Sequence, residues 1–170
     1  LTSISIPGAH DAATGHRLYA PPGFGRTQTL TIPELWDSGV RPFDLRPAVC
    51  DTILYIYHGV FKTELTFCEA LQLLVEKLQA YPEEFAIVLL REELEAENDV
   101  ERNLWPKKVG EAIASLGDRA VRFNRNLRLG DVRGKILFLS RNAYTNANKG
   151  AIVSGWSHSS DGTTNAIITA

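Results

Sequence analysis

The run Phe85-Ala-Ile-Val-Leu-Leu90 carries no polar side chain and is followed at once by Arg91-Glu92-Glu93. A strand that is apolar on both faces has to be covered on both, which is the situation of a central strand in a parallel sheet. Ile136-Leu-Phe-Leu139 has the same character and ends at Ser140-Arg141. Helical patterns stand between such runs. Thr66-Phe-Cys-Glu69 is a capping box, and Leu71, Leu74, Val75 and Leu78 recur at helical spacing up to Tyr81-Pro82. A weaker helical stretch covers Asp99 to Leu116, where Pro106 predicts a late start or a kink. Thr31-Ile-Pro-Glu34 opens a brief helix to Asp37, before Gly39. Ile4 to Pro7, Val40 to Leu45, Ile53 to Tyr57 and the terminal Asn165 to Ala170 read as further strands. Strands alternating with helices predict an α/β fold with a parallel sheet, curled into a barrel or doubly wound. In either case sites gather at the carboxyl ends of the strands.

At 170 residues and 44% hydrophobic content the chain can bury one real core, which excludes disordered and fibrous classes. Eighteen basic against twenty acidic residues, with no long run of either sign, give no electrostatic footprint for nucleic acid. No apolar run is long enough to predict a transmembrane segment, and residues 1–20 lack the layout of a signal peptide. The start on Leu1 and the lack of any Met suggest a trimmed segment. Cys50 and Cys68 fit no CxxC pattern and are expected to be small buried hydrophobes rather than a disulfide.

Chemistry concentrates where three strand-like runs end. Ser3-Ile-Ser-Ile-Pro-Gly-Ala-His-Asp-Ala12 delivers His10 and Asp11, Phe43-Asp-Leu-Arg46 delivers Asp44 and Arg46, and Tyr55-Ile-Tyr-His-Gly59 delivers His58. The expectation is three adjacent strands presenting these groups on one rim. Cleaving a phosphodiester without a metal needs a base, an acid and positive charge near the non-bridging oxygens. Two histidines, a side-chain type whose unperturbed pKa lies near neutrality, and one permanently charged guanidinium supply them. His16, in a Gly-rich loop, and His158, in a polar one, are read as structural residues.

Ser5-Ile-Pro-Gly-Ala-His-Asp11, Gly39-Val-Arg-Pro-Phe-Asp-Leu-Arg46, Tyr57-His-Gly59 and Leu129-Gly-Asp-Val-Arg-Gly-Lys-Ile136 occur in series. Together they closely resemble the X domain of bacterial phosphatidylinositol-specific phospholipase C, over residues 3 to about 141. The resemblance implies a distorted TIM-barrel-like (β/α) barrel. It implies that His10 deprotonates the inositol 2-hydroxyl, which attacks the phosphorus to give the 1,2-cyclic phosphate, while His58 protonates the departing diacylglycerol oxygen. Arg46 then stands where calcium-dependent relatives carry an acidic metal ligand, with Asp11 and Asp44 orienting it. Arg91 falls at another such position, so no metal and no cofactor are expected, although Glu92 and Glu93 are nearby carboxylates. Arg141 resembles a residue that contacts inositol hydroxyls; the residues alone read equally as a surface arginine. Asp131 and Arg133 are read as a turn into the next strand, and Trp156 as packing.

The family continues well past this length, and the carboxylate that orients its base histidine comes from that later part. Residues 1–170 are therefore expected to be one X-domain-like unit incomplete at its C-terminal end, with Asp161 the one candidate substitute for that carboxylate. The implied partner is an inositol phospholipid at a membrane surface, the implied state a monomer, and the implied location extracellular. Two other readings stay open: a metal-dependent barrel phosphodiesterase acting on another head group, and a catalytically inactive binder of inositol or a sugar.

Overall fold

The computed structural model describes residues 5–94, 99–145, 149–154 and 167–169. In chain order these form α1 (Ile32–Asp37), β1 (Pro42–Leu45), β2 (Pro47–Cys50), β3 (Ile53–His58), β4 (Phe61–Thr66) and α2 (Phe67–Ala80). They continue with β5 (Ala86–Leu90), α3 (Asp99–Ser115), a short turn α4 (Leu129–Val132), β6 (Ile136–Ser140), β7 (Ala151–Ser154) and β8 (Ile167–Thr169). The main sheet has the order β1-β5-β6-β7-β8, parallel throughout except for β8, which runs antiparallel to β7. Closing a (β/α)₈ barrel takes eight strands, so this sheet is a partial barrel.

The alternation of side chains explains the apolar runs. Phe43 and Leu45 of β1, Ala86, Val88 and Leu90 of β5, and Ile136 and Phe138 of β6 pack into one large core with α1, α2 and α3. The opposite parity, Ile87 with Leu137 and Leu139, packs with Phe85, Val121 and Val132 into a second, smaller cluster. Both faces are thus occupied, as a parallel sheet requires.

Helix α2 starts where the capping box sets it: the Glu69 carboxylate accepts from the Thr66 amide at 2.8 Å, and Thr66 Oγ1 accepts from the Glu69 amide at 3.2 Å. Phe67, Ala70, Leu71, Leu74, Val75 and Leu78 form its buried face. The late start that Pro106 predicts is not found: α3 runs over Asp99–Ser115 with Pro106 inside it. Neighbouring contacts hold it there. The buried Trp105 donates from Nε1 to the Pro47 carbonyl at 2.7 Å, and the Pro106 carbonyl accepts from the Thr145 amide at 3.1 Å.

Three expectations need correction. The Tyr55 strand is not a sheet neighbour of Phe43–Arg46: β3 belongs to a separate antiparallel sheet, β2-β3-β4. The β2–β3 turn places Asp51 and Thr52 at φ 48 and 67, the paired positive values of a tight hairpin, on residues that do not advertise one. The run before His10 is no strand over residues 5–8, and only Ala9 bridges to Phe43, in parallel; Ile4 lies outside the described residues. The cysteines are free as expected, but Cys68 is exposed and Cys50 only half-buried.

Candidate active site

The register of the parallel sheet builds the floor of the site. Asp44 pairs with Leu89, and Leu89 with Leu139, so these three side chains form one row across the sheet. Leu45 pairs with Leu90, and Leu90 with Ser140. The next row, beyond the strand ends, is therefore Arg46, Arg91 and Arg141. The ladder carries on that far, since the Arg91 amide donates to the Leu45 carbonyl and the Arg141 amide to the Leu90 carbonyl. Because side chains alternate faces with period two, the arginines rise on the face that carries Asp44, Leu89 and Leu139. A cleft of about 290 Å³ opens there, lined by His10, Asp44, Arg46, Leu89, Leu139 and Arg141 among others. Burial, then the neighbouring Arg91 and Arg46 charges, push the Arg141 pKa below its ordinary value.

Asp11 is the hub. It sits in left-handed backbone at φ 47, and its side chain is fully buried. One carboxylate oxygen faces Arg46 Nε at 2.8 Å; the other faces His10 Nε2 at 3.0 Å and His58 Nε2 at 3.3 Å. These are charge contacts without a donor aligned for hydrogen bonding. Burial pushes the Asp11 pKa up, while Arg46, His10 and His58 pull it down, leaving it raised.

Asp44 lies on the other side of His10. Its Oδ2 is 3.0 Å from His10 Nδ1 and accepts from Arg46 Nε at 3.1 Å and Nη2 at 3.0 Å. A carboxylate beside His10 is therefore present within this chain as Asp44. Asp161, His158 and Trp156 lie outside the described residues.

Arg46 is buried and spends its donors on protein carboxylates. Besides Asp11 and Asp44, it donates from Nη1 to Glu93 at 3.1 Å, and its Nη2 approaches His10 Nδ1 at 3.3 Å. Burial works against its charge, but Asp44, Asp11 and Glu93 outweigh that and raise its pKa. Glu93, one of the two glutamates after β5, thus reaches the site. It also accepts from the Gly59 amide at 2.8 Å, which ties the turn after His58 to the main sheet. Its pairing is visible only once two sheets are brought together.

The loop before α1 contributes groups that no motif announces. The Gly25 carbonyl lies 2.7 Å from His58 Nδ1, and Gln28 Nε2 donates to the His10 carbonyl at 2.7 Å. His16 is structural, as expected: its Nε2 accepts from the Ile32 amide at the start of α1 at 3.0 Å. Asp131 and Arg133 also hold local structure, with Asp131 accepting from the Arg128 amide at the start of α4 and Arg133 pairing with Glu83.

His10, Asp11 and Asp44 place potential ligand atoms within 4.8 Å of one another. The Arg46 guanidinium lies against all three at 2.8–3.3 Å. A divalent cation there would meet a fixed positive charge at contact distance, so these residues fit a metal poorly.

No family model matches the chain. Over 148 residues it is 28% identical to a 1-phosphatidylinositol phosphodiesterase of Listeria monocytogenes, covering 84% of this chain and 45% of that protein. The solved phosphatidylinositol-specific phospholipase C of Listeria monocytogenes superposes with a TM-score of 0.66 at 27% identity, over 84% of this chain and 52% of that one. A phosphatidylinositol-specific phospholipase C from Staphylococcus aureus superposes with a TM-score of 0.70 at 23% identity, over 89% and 52%. The chain thus spans about half the length of the relatives it matches, and its partial barrel corresponds in fold to part of theirs.

Proposed function

We propose that this chain, similar over most of its length to bacterial phosphatidylinositol-specific phospholipases C, carries the acid–base half of a site that cleaves inositol phospholipids. The products are diacylglycerol and inositol 1,2-cyclic phosphate. The observation that carries the reading is the placement of His10 and His58 against the same oxygen of one buried carboxylate, beside a row of three arginines. His10, flanked by Asp44, takes the proton of the 2-hydroxyl. The freed oxygen attacks phosphorus, the bond from phosphorus to the glycerol oxygen breaks, and His58 Nε2 delivers the proton that this oxygen needs. Attack by a neighbouring hydroxyl of the same ring proceeds at high effective molarity, so positioning supplies much of the rate. Water then opens the cyclic product with the two roles exchanged.

Positive charge replaces a metal in this scheme. Arg46 holds Asp11 and Asp44 in place, and Arg91 and Arg141, next in the same row, supply cations toward the phosphate and the inositol hydroxyls. Full activity in the presence of a chelator is expected, and inhibition would favour a metal-dependent phosphodiesterase instead.

Around His58 the surface suits a lipid interface. Phe24 is 63% exposed, Tyr19 52% and Val60 76%, and Arg26 and Lys62 lie in the same two segments. No described helix is long and apolar enough to cross a membrane; an exposed rim of this kind offers a contact with lipid from one side. By the same likeness the chain acts as a monomer outside the cell that makes it.

The test is phosphorus NMR on mixed phosphatidylinositol and phosphatidylcholine vesicles. A cyclic phosphate signal is expected, and His10→Ala and His58→Ala should each lower its rate by about 10²–10⁴-fold. Undiminished turnover in either variant would overturn the reading. Saturable inositol binding with no cyclic phosphate would select an inactive binding domain.

A further inference from the structure

We propose that the main-chain carbonyl of Gly25 fixes a proton on His58 Nδ1 and so reserves Nε2 for the proton that moves, which makes the Leu18–Thr29 loop a positioning element of the site. This rests on reading His58 as the acid. The two atoms are 2.7 Å apart, and a carbonyl oxygen can only accept, so Nδ1 must be the donor. A hydrogen bond at one ring nitrogen decides which nitrogen carries the proton of a neutral imidazole. The other nitrogen, Nε2, is the one that faces Asp11. An acid whose proton left from Nδ1 would have to break the Gly25 bond first; one that uses Nε2 keeps its anchor through the whole cycle.

The loop is built to hold that carbonyl still. Its near end is tied to β4 by a bridge between Leu18 and Thr63 and by the Tyr19 amide donating to the Lys62 carbonyl at 2.8 Å. Its far end is tied to Thr14 Oγ1, which accepts from the Thr27 amide at 3.2 Å and the Gln28 amide at 3.0 Å. Gly25 itself is at φ +69, and a Cβ there would lie 2.6 Å from Phe61 Cδ2 and 3.1 Å from Leu18 Cδ2. Glycine is thus required both for the backbone conformation and for the closeness of the Phe61 ring. Through Gln28 the same loop also holds the main chain of His10, so one segment indexes both histidines.

The experiment is long-range ¹H–¹⁵N correlation on the full chain labelled at histidine nitrogens, at a pH where the imidazoles are neutral. His58 is expected as the Nδ1–H tautomer; an Nε2–H tautomer would overturn the proposal. Gly25→Ala should shift His58 toward Nε2–H and lower kcat by about 10- to 100-fold with KM little changed. Adding Phe61→Ala should return part of both effects by removing the clash. A Gly25→Ala protein that folds, keeps the Nδ1–H tautomer and keeps its kcat would count against the proposal. If that variant does not fold, the tautomer of the unaltered chain still decides. The tautomer is read without substrate, so a chain with Nδ1–H at His58 and no turnover on vesicles would overturn the functional reading and leave the hydrogen bond standing.

Discussion

Asp11 holds a fully buried carboxylate in left-handed backbone, with its pKa raised chiefly by burial. A carboxyl whose folded pKa lies above its unfolded value binds more protons when folded, so it lowers stability as pH rises above the ordinary 3.8. Asp11→Asn keeps an acceptor for Arg46, tolerates the same backbone conformation and removes the buried charge. At neutral pH the variant should therefore melt higher than the unaltered chain while turning over substrate far more slowly. Calorimetry with vesicle kinetics reads both, and a lower Tm would show that the charge contacts outweigh the burial. His16 has the opposite sign. Burial lowers its pKa from the ordinary 6.5, although Glu64 and Glu34 oppose this, so the folded chain prefers the neutral ring that accepts from Ile32. Stability should fall as pH drops below 6.5, down to the lowered pKa, and His16→Gln should flatten that slope in denaturant titrations at stepped pH. At this scale His10, Arg46 and His58 are legible in sequence because each follows an apolar run, and Asp44 because it is the one charge inside Pro42–Leu45. The Gly25 carbonyl and Glu93 are not: a main-chain acceptor has no letter, and Glu93 finds its partners only across two sheets.

The elements were legible where a pattern reached full length. The capping box and the periodic leucines mark α2, and the continuous apolar runs mark β5 and β6. The four-residue strands β2 and β7 leave too little room for alternation, β2 begins on a proline, and β4 carries a register shift in its pairing with β3. That hidden hairpin is why His58 reads as part of the main sheet when it comes from another. Helix α3 offers a test of packing against propensity. Gly→Ala inside a helix ordinarily stabilises by about 0.5–1 kcal/mol. At Gly110 a Cβ would lie 2.2 Å from the Thr145 carbonyl oxygen, backbone that no rotamer change can move aside. Gly110→Ala is expected to destabilise by about 1–3 kcal/mol in equilibrium denaturation, and a gain in stability would show that this contact relaxes freely.

For the molecule as a whole, an α/β barrel-like fold follows from two runs that need cover on both faces, and the structure meets that need with two apolar clusters. How far the sheet closes is not written in such runs, since closure depends on strand number and stagger rather than on any one strand. The exposed rim gives a prediction at this scale. Phe24→Ser should weaken cosedimentation with anionic vesicles by about tenfold, the loss of one large apolar side chain from the interface. Unchanged binding would move the lipid contact elsewhere on the surface. The arginine row has a consequence for how the chain reaches this fold. If β1, β5 or β6 paired one residue out of step, its arginine would swing to the opposite face and enter the helix-packed core as an unpaired charge, at a cost of several kcal/mol. Cationic residues one step beyond the strand ends thus act as proofreaders of assembly, rejecting slipped pairings before any substrate arrives.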